Sequence, residues 1–152
     1  MQVSCGLLMY VREVSGVVVL LAHPGGPYWR NKDDGAWSIP KGMKNTDEDA
    51  LDAAQREFTE ETGLVARGPF IPLTPLKQKS GKLVRCWAFE GERQELALIG
   101  RSTFELEGPP RAGKRETFPE IDRAAFFSPE EALVKILPGQ AGFVRELMTL
   151  LN

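Results

Sequence analysis

The 152-residue chain has only two cysteines, Cys5 and Cys86, and a single histidine, His23. No apolar run reaches the roughly 20 residues that a membrane-spanning helix needs. Two cysteines without zinc-type spacing give neither a disulfide framework nor a structural metal knuckle, so both read as reduced, small apolar side chains. One histidine excludes histidine-based metal clusters and histidine dyads, and His23 has no partner at a telling spacing, so it reads as a loop residue without a role. A net charge of −2 excludes a broad electrostatic footprint for nucleic acid. Residues 1–10 lack the basic start and small-residue cleavage pattern of a secretory signal, which makes the cytoplasm the expected location.

What is present is an ordinary globular composition, 42% hydrophobic and 26% charged, at the length of one domain spanning 1–152. Val3 to Val11 and Val17 to Ala22, flanking Ser15-Gly16, predict two strands joined by a turn. His23 to Gly35 is dense in proline, glycine and aspartate and reads as a loop that carries the aromatic side chains Tyr28 and Trp29. A helix is predicted from about Asp47 to Thr62, capped by Asn45 or Thr46 and stopped by Gly63. Phe70 to Lys79 and Lys82 to Glu90 flank Ser80-Gly81 as an irregular hairpin. Arg101 to Glu107 predicts a short strand, Pro109 to Pro119 a loop with a basic cluster at Arg111, Lys114 and Arg115, and Ala124 to Phe127 a last core strand. Ser128-Pro129-Glu130-Glu131 starts a second helix, ended by Pro138-Gly139. A terminal helix with Phe143, Leu147, Leu150 and Leu151 packs on the sheet.

The central helix carries the chemical signal. At about 100° per residue, Leu51, Ala54 and Phe58 form its core stripe, and Glu57, Glu60 and Glu61 share a face that borders this stripe. Acids three and four apart repel one another, and acids in a last turn oppose the negative end of the helix dipole. Arg56, spaced four from Glu60, offsets part of this charge, but one arginine does not neutralise three carboxylates. A solvated acidic patch is the ordinary alternative; the position beside the apolar stripe favours a divalent cation, and carboxylate oxygens suit Mg2+ or Mn2+.

Gly42, five residues, Glu48, seven residues, then Arg56-Glu57-Phe58-Thr59-Glu60-Glu61-Thr62-Gly63-Leu64 resembles the complete box of the Nudix hydrolase family. Only Phe58 departs, replacing the more usual aliphatic residue on the core face. Trp37-Ser38-Ile39-Pro40-Lys41 also resembles the family's approach to the box. The resemblance implies an α/β/α sandwich with a mixed sheet between helices. It implies that Glu57, Glu60 and Glu61, with the carbonyl of Gly42, ligate Mg2+ or Mn2+, and that Glu48 and Arg56 brace loop and helix. It implies hydrolysis of a phosphoanhydride bond in a nucleoside diphosphate-linked substrate, with one glutamate serving as general base. A further acid from outside the box is expected, and Glu120 is the best candidate, ahead of Glu105 and Glu107; each has a solvated loop residue as its bland alternative.

For the substrate, Tyr28, Trp29 and Trp37 are candidates to stack a base, Trp37 with core packing as an equal alternative, while Trp87 reads as core. Lys41, Lys79, Lys82, Arg111, Lys114 and Arg115 are candidates for phosphate contacts, most of them as bystanders. The order of the Cys5-Gly6-Leu7-Leu8 stretch, the box and the Glu120 region is similar to the asymmetric diadenosine tetraphosphate hydrolases. Dinucleoside polyphosphates and nucleoside triphosphates are therefore favoured, with capped RNA ends and nucleotide sugars as alternatives. A non-catalytic nucleotide sensor is the reading from another class, and the intact Glu57, Glu60 and Glu61 set argues against it. No membrane partner is expected, and nucleic acid only as an RNA 5′ end. The number of metals, the identity of the base and the oligomeric state, a homodimer included, are left open by the sequence.

Overall fold

The computed structural model describes residues 2–93, 103–107 and 115–152. Strands β1 (Val3–Glu13) and β2 (Gly16–Pro24) form an antiparallel hairpin, in register from Tyr10↔Val19 to Glu13↔Gly16. A three-residue strand, β3 (Lys41–Met43), pairs antiparallel with the other half of β1, at Ser4↔Met43 and Cys5↔Gly42. Short β4 (Ile71–Pro72) and β5 (Leu76–Lys77) pair antiparallel with β6 (Leu83–Glu90). Strand β6 runs parallel to β1 along its length, from Val3↔Leu83 to Tyr10↔Glu90. The sheet order is β4-β6-β1-β2-β9, where β9 is Ile121–Phe127. Because β6 occupies one edge of β1, both β2 and β3 must share the other, and the chain between them crosses the fork where β2 leaves β1. Ala22 and Ser38 exchange backbone hydrogen bonds at 2.8 and 2.9 Å, and Leu7 N–H donates to Pro40 O at 3.2 Å, which fastens that crossing.

Helix α1 (Ala50–Thr62) covers one face of the sheet, and α2 (Pro129–Lys135) with α3 (Ala141–Leu151) covers the other. The alternation along β1 makes this double burial possible. Leu7, Met9 and Val11 enter the α1 core, whereas Leu8 and Tyr10 enter the core beneath α3. The expected mixed sheet between helices is therefore the observed architecture. No helix among the described residues is long and apolar enough to cross a membrane.

Several boundaries differ from expectation. The cap of α1 is Asp49 rather than Asn45 or Thr46, because Asn45 and Glu48 first close a turn of their own; the Asp49 carboxylate then accepts the N–H groups of Leu51 and Asp52 at 3.1 and 3.3 Å. Its buried face is Ala50, Ala53, Ala54 and Phe58, with Leu51 only half-buried at the edge. Part of the expected loop 109–119 is a strand: β8 (Arg115–Pro119) pairs antiparallel with β7 (Thr103–Glu107) as a separate ribbon. Arg101, Arg111 and Lys114 lie outside the described residues. Leu150 is exposed on α3 rather than packed, and Ala141, Phe143, Val144 and Leu147 do the packing.

Candidate functional site

The last two turns of α1 and the fork strand β3 build the site together. Ala53, Ala54 and Phe58 are fully buried, and Phe58 meets Phe89 edge to face at 5.3 Å. That anchoring seats the helix close to β3, so that a Cβ on Gly42 would overlap the Glu57 carboxylate. Any larger residue there would force the Glu57 carboxylate or the strand to move. The helix ends at Gly63 in the left-handed region (φ 79°), where Gly63 N–H donates to Thr59 O at 2.9 Å, Thr62 Oγ1 donates to Phe58 O at 2.7 Å and Thr59 Oγ1 to Leu64 O at 2.8 Å. No basic residue lies in the last turn.

Arg56 organises the acids around it. Its Nε and Nη2 reach the two carboxylate oxygens of Glu48 at 2.8 and 2.9 Å, and Nη2 also donates to Met43 O at 3.2 Å, joining helix, loop and β3. Nη1 donates to Glu57 Oε1 at 2.9 Å and to Glu60 Oε1 at 3.3 Å. Glu48 is held at a pKa of about 2, chiefly by its hydrogen bonds from Arg56.

The three box glutamates sit in different surroundings. Glu60 stands at the rim, with its side chain 46% exposed, and Glu57 is mostly enclosed at 13%. Burial pushes the Glu57 carboxyl above the usual range, against the pull of Arg56 and with Glu60 and Glu120 adding to the rise. Glu61 is buried, and its carboxyl is pushed up to about 9, first by burial and then by Glu57 and Glu120. The Lys41 ammonium and backbone N–H oppose that rise. Burial also lowers the Lys41 ammonium, helped by Lys82, while Glu61 and Glu57 raise it. Glu120, far away in sequence, is thus close enough to act electrostatically on both inner glutamates.

The residues fit a hard divalent cation by donor chemistry. Glu61 Oε2 is buried without a hydrogen-bond partner among the described residues, an expensive state for a carboxyl oxygen unless a cation is its intended neighbour. The candidate ligands, the carboxylates of Glu57, Glu60 and Glu61 and the carbonyl of Gly42, all offer oxygen, which suits Mg2+ or Mn2+ rather than thiophilic ions. Among the described residues, no three acidic, histidine or cysteine side chains are already drawn into a closed metal cage, and Arg56 occupies part of Glu57 and Glu60 instead.

Glu120 also forms part of the wall of an open cavity of about 430 Å³, lined otherwise by Pro24, Gly25, Gly26, Pro27, Tyr28 and Trp29. Tyr28 is exposed and meets Trp29 edge to face at 4.9 Å, and Lys32 Nζ lies 3.8 Å above the Tyr28 ring. Tyr28, Trp29 and Glu120 are thereby brought to one place. Trp37 is not: it is 4% exposed on the α3 side of the sheet, packed edge-on against Phe127 at 5.0 Å, with its indole N–H given to Asp33 Oδ1 at 2.8 Å. Its candidacy for base stacking is corrected to core packing. Trp87, Cys5 and Cys86 are buried, and both cysteines are free. His23, read from sequence as a loop residue without a partner, closes β2, is fully buried and has two polar partners. Those partners lie 9 and 99 residues away, a separation that leaves no mark in the local pattern.

A family model described as the NUDIX domain matches residues 2–147. The chain belongs to the Nudix hydrolase family. Among solved structures, this Nudix chain is similar to the Caenorhabditis elegans Ap4A hydrolase in a binary complex, at 19% identity and a TM-score of 0.66 over 97% of each chain. It is also similar to the NUDIX domain of Shewanella oneidensis NrtR complexed with ADP ribose, at 13% identity and a TM-score of 0.71, over 99% of this chain and 88% of that one. Both likenesses are of fold. In sequence, it is 44% identical over 50 residues to the RNA pyrophosphohydrolases of Xanthomonas campestris pv. campestris (strain B100) and Stenotrophomonas maltophilia (strain K279a). That segment is 32% of this chain and only 24% of those relatives' length.

Proposed function

We propose that this Nudix chain is a pyrophosphohydrolase that uses Mg2+ or Mn2+ to cleave a phosphoanhydride bond in a nucleoside diphosphate-linked substrate, with dinucleoside polyphosphates and nucleoside triphosphates favoured. The observation that carries the reading is the convergence of Glu57, Glu61 and Glu120, from a helix and a distant loop, beside an aromatic-lined cavity. Structural needs alone do not gather like charges in that way.

In this reading, Glu57, Glu60 and Glu61 hold the ion with the Gly42 carbonyl. A bound cation would neutralise phosphate charge and make water a better nucleophile at neutral pH. Arg56 keeps the helix and β3 in register, so that the carboxylates meet the diphosphate in one geometry. Lys41, beside Glu57 and Glu61, offers an ammonium to a phosphate oxygen. Glu120, which touches both the acid cluster electrostatically and the cavity wall, is placed to accept a proton from attacking water. Tyr28 and Trp29 offer an aromatic face to a base.

The test is a panel of ATP, diadenosine tetraphosphate, ADP-ribose and triphosphate-ended RNA with Mg2+, scored by product identity, for the wild type and for Glu57→Gln. Hydrolysis of at least one member, reduced about 100-fold or more in Glu57→Gln with the fold unchanged, is the expected result. Tight binding of one member without hydrolysis of any would replace the enzyme by a nucleotide sensor.

A further inference from the structure

The cavity that Glu120 lines has two walls, and one buried ring touches the chain behind both. His23 Nδ1 lies 2.8 Å from Asp122 Oδ1, and Asp122 stands two residues beyond Glu120. His23 Nε2 donates to the Lys32 carbonyl at 2.6 Å, three residues beyond Trp29. The ring has little freedom to turn away, since Trp37 abuts it edge-on at 5.1 Å and is itself wedged against Phe127. A second tie runs between the same walls: Gly25 N–H donates to Glu120 O at 2.9 Å, and a Cβ on Gly25 would overlap the Pro119 carbonyl oxygen.

A fully buried imidazole is a costly choice at the end of a strand whose preceding residues, Leu20, Leu21 and Ala22, are all apolar and buried. An aliphatic side chain would fill the volume, but it would offer no donor to Lys32 O and would leave Asp122 only the longer contact with Arg123 Nε at 3.5 Å. The polar ring therefore ties the Lys32 segment, which arrives as a loop, to Asp122 on β9, a strand already paired with β2. Those segments carry the acid and the aromatic pair on which the proposed reaction depends.

We propose that His23 is a positioning residue: by holding Asp122 and the Lys32 carbonyl at once, it sets the distance between Glu120 and the Tyr28–Trp29 pair, and so places a bound base relative to the phosphates being cut. This rests on the reading of the cavity as the nucleotide site. His23 does not line the cavity and touches substrate only through the two walls it spans.

The experiment compares the wild type, His23→Gln, Tyr28→Ala and their double variant in Mg2+, with ATP and diadenosine tetraphosphate as probes, and follows hydrogen exchange of the backbone in parallel. His23→Gln is expected to raise KM about tenfold while kcat stays within about threefold, and to speed exchange across residues 25–33 while α1 keeps its protection. In the Tyr28→Ala background, the KM effect of His23→Gln should shrink below about threefold, because the wall it positions no longer carries the contact. Additive effects, a loss confined to kcat, or unchanged exchange in 25–33 would overturn the proposal. If the wild type hydrolyses neither probe, the functional reading fails on its own, and exchange still decides whether His23 holds the wall. Should His23→Gln fail to fold, Asp122→Asn removes the charge of one partner from a partly exposed site and is read by the same measurements.

Discussion

Arg56 grips Glu48 with two prongs, Nε to Oε2 at 2.8 Å and Nη2 to Oε1 at 2.9 Å, which leaves Nη1 alone to serve Glu57 and Glu60. Lysine carries the same charge but cannot reproduce the fork. Arg56→Lys should therefore lower stability by about 2 kcal/mol, the cost of charged hydrogen bonds left unmade, and should lower turnover as the helix loses its register on β3. Urea unfolding and steady-state kinetics check the two effects; a variant with wild-type values of both would remove Arg56 from the bracing role.

Gly42→Ala tests the close approach of β3 to α1. The added methyl overlaps the Glu57 carboxylate, so Glu57 must swing away or the strand must shift. Calorimetric titration with Mn2+ should show affinity reduced by about tenfold or more, with the circular dichroism spectrum retained. Unaltered Mn2+ affinity would place the ion away from Glu57.

The Glu61 carboxyl, raised to about 9 from an ordinary value of 4.5, gives a pH signature with a definite sign. Between those values the folded protein binds a proton that the unfolded chain does not, so this contribution is complete below the lower value and is lost as pH rises through the upper one. The melting temperature of the metal-free protein should fall as pH rises from about 5 to about 9, and Glu61→Gln should flatten that fall. Added Mg2+ should offset it in the wild type, since the ion binds the deprotonated form and releases a proton.

Phe58 separates packing from chemistry. It is fully buried against Phe89, so Phe58→Ala should cost about 3–5 kcal/mol, whereas Phe58→Leu, closer in volume to the side chain usual in the family, should cost far less. Denaturation midpoints check the ranking. Turnover per folded molecule should stay near wild type in Phe58→Leu.

The parts of this fold that were legible in the sequence are those whose signals are local. The 3.6-residue period and the Gly63 stop mark α1, Ser128-Pro129 marks α2, and Ser15-Gly16 and Ser80-Gly81 mark turns. The acids of the box announce themselves by violating helix rules that an ordinary solvated helix obeys. Features decided by distant partners were hidden. Strand β3 is three residues long and exists because β1 has a free half-edge; the parallel β1–β6 pairing leaves no trace in either strand; β8 is extended because β7 lies beside it, despite the proline at its end. For Trp37 the sequence leaves base stacking and core packing as equal alternatives because its burial depends on Phe127 and Asp33, and His23 reads as unpartnered because Asp122 and Lys32 O meet it only in the folded chain.

The split of β1 between two neighbours on one edge has an outcome for variation. Helix α1 and β3 are locked to each other and to β1, while the Tyr28–Trp29 segment and Glu120 are fastened to the ends of β2 and β9. Residues gained or lost near the tip of that segment would reshape the cavity without moving the carboxylates on the helix. One set of carboxylates can thereby be joined to differently shaped cavities by rewriting a stretch of surface chain.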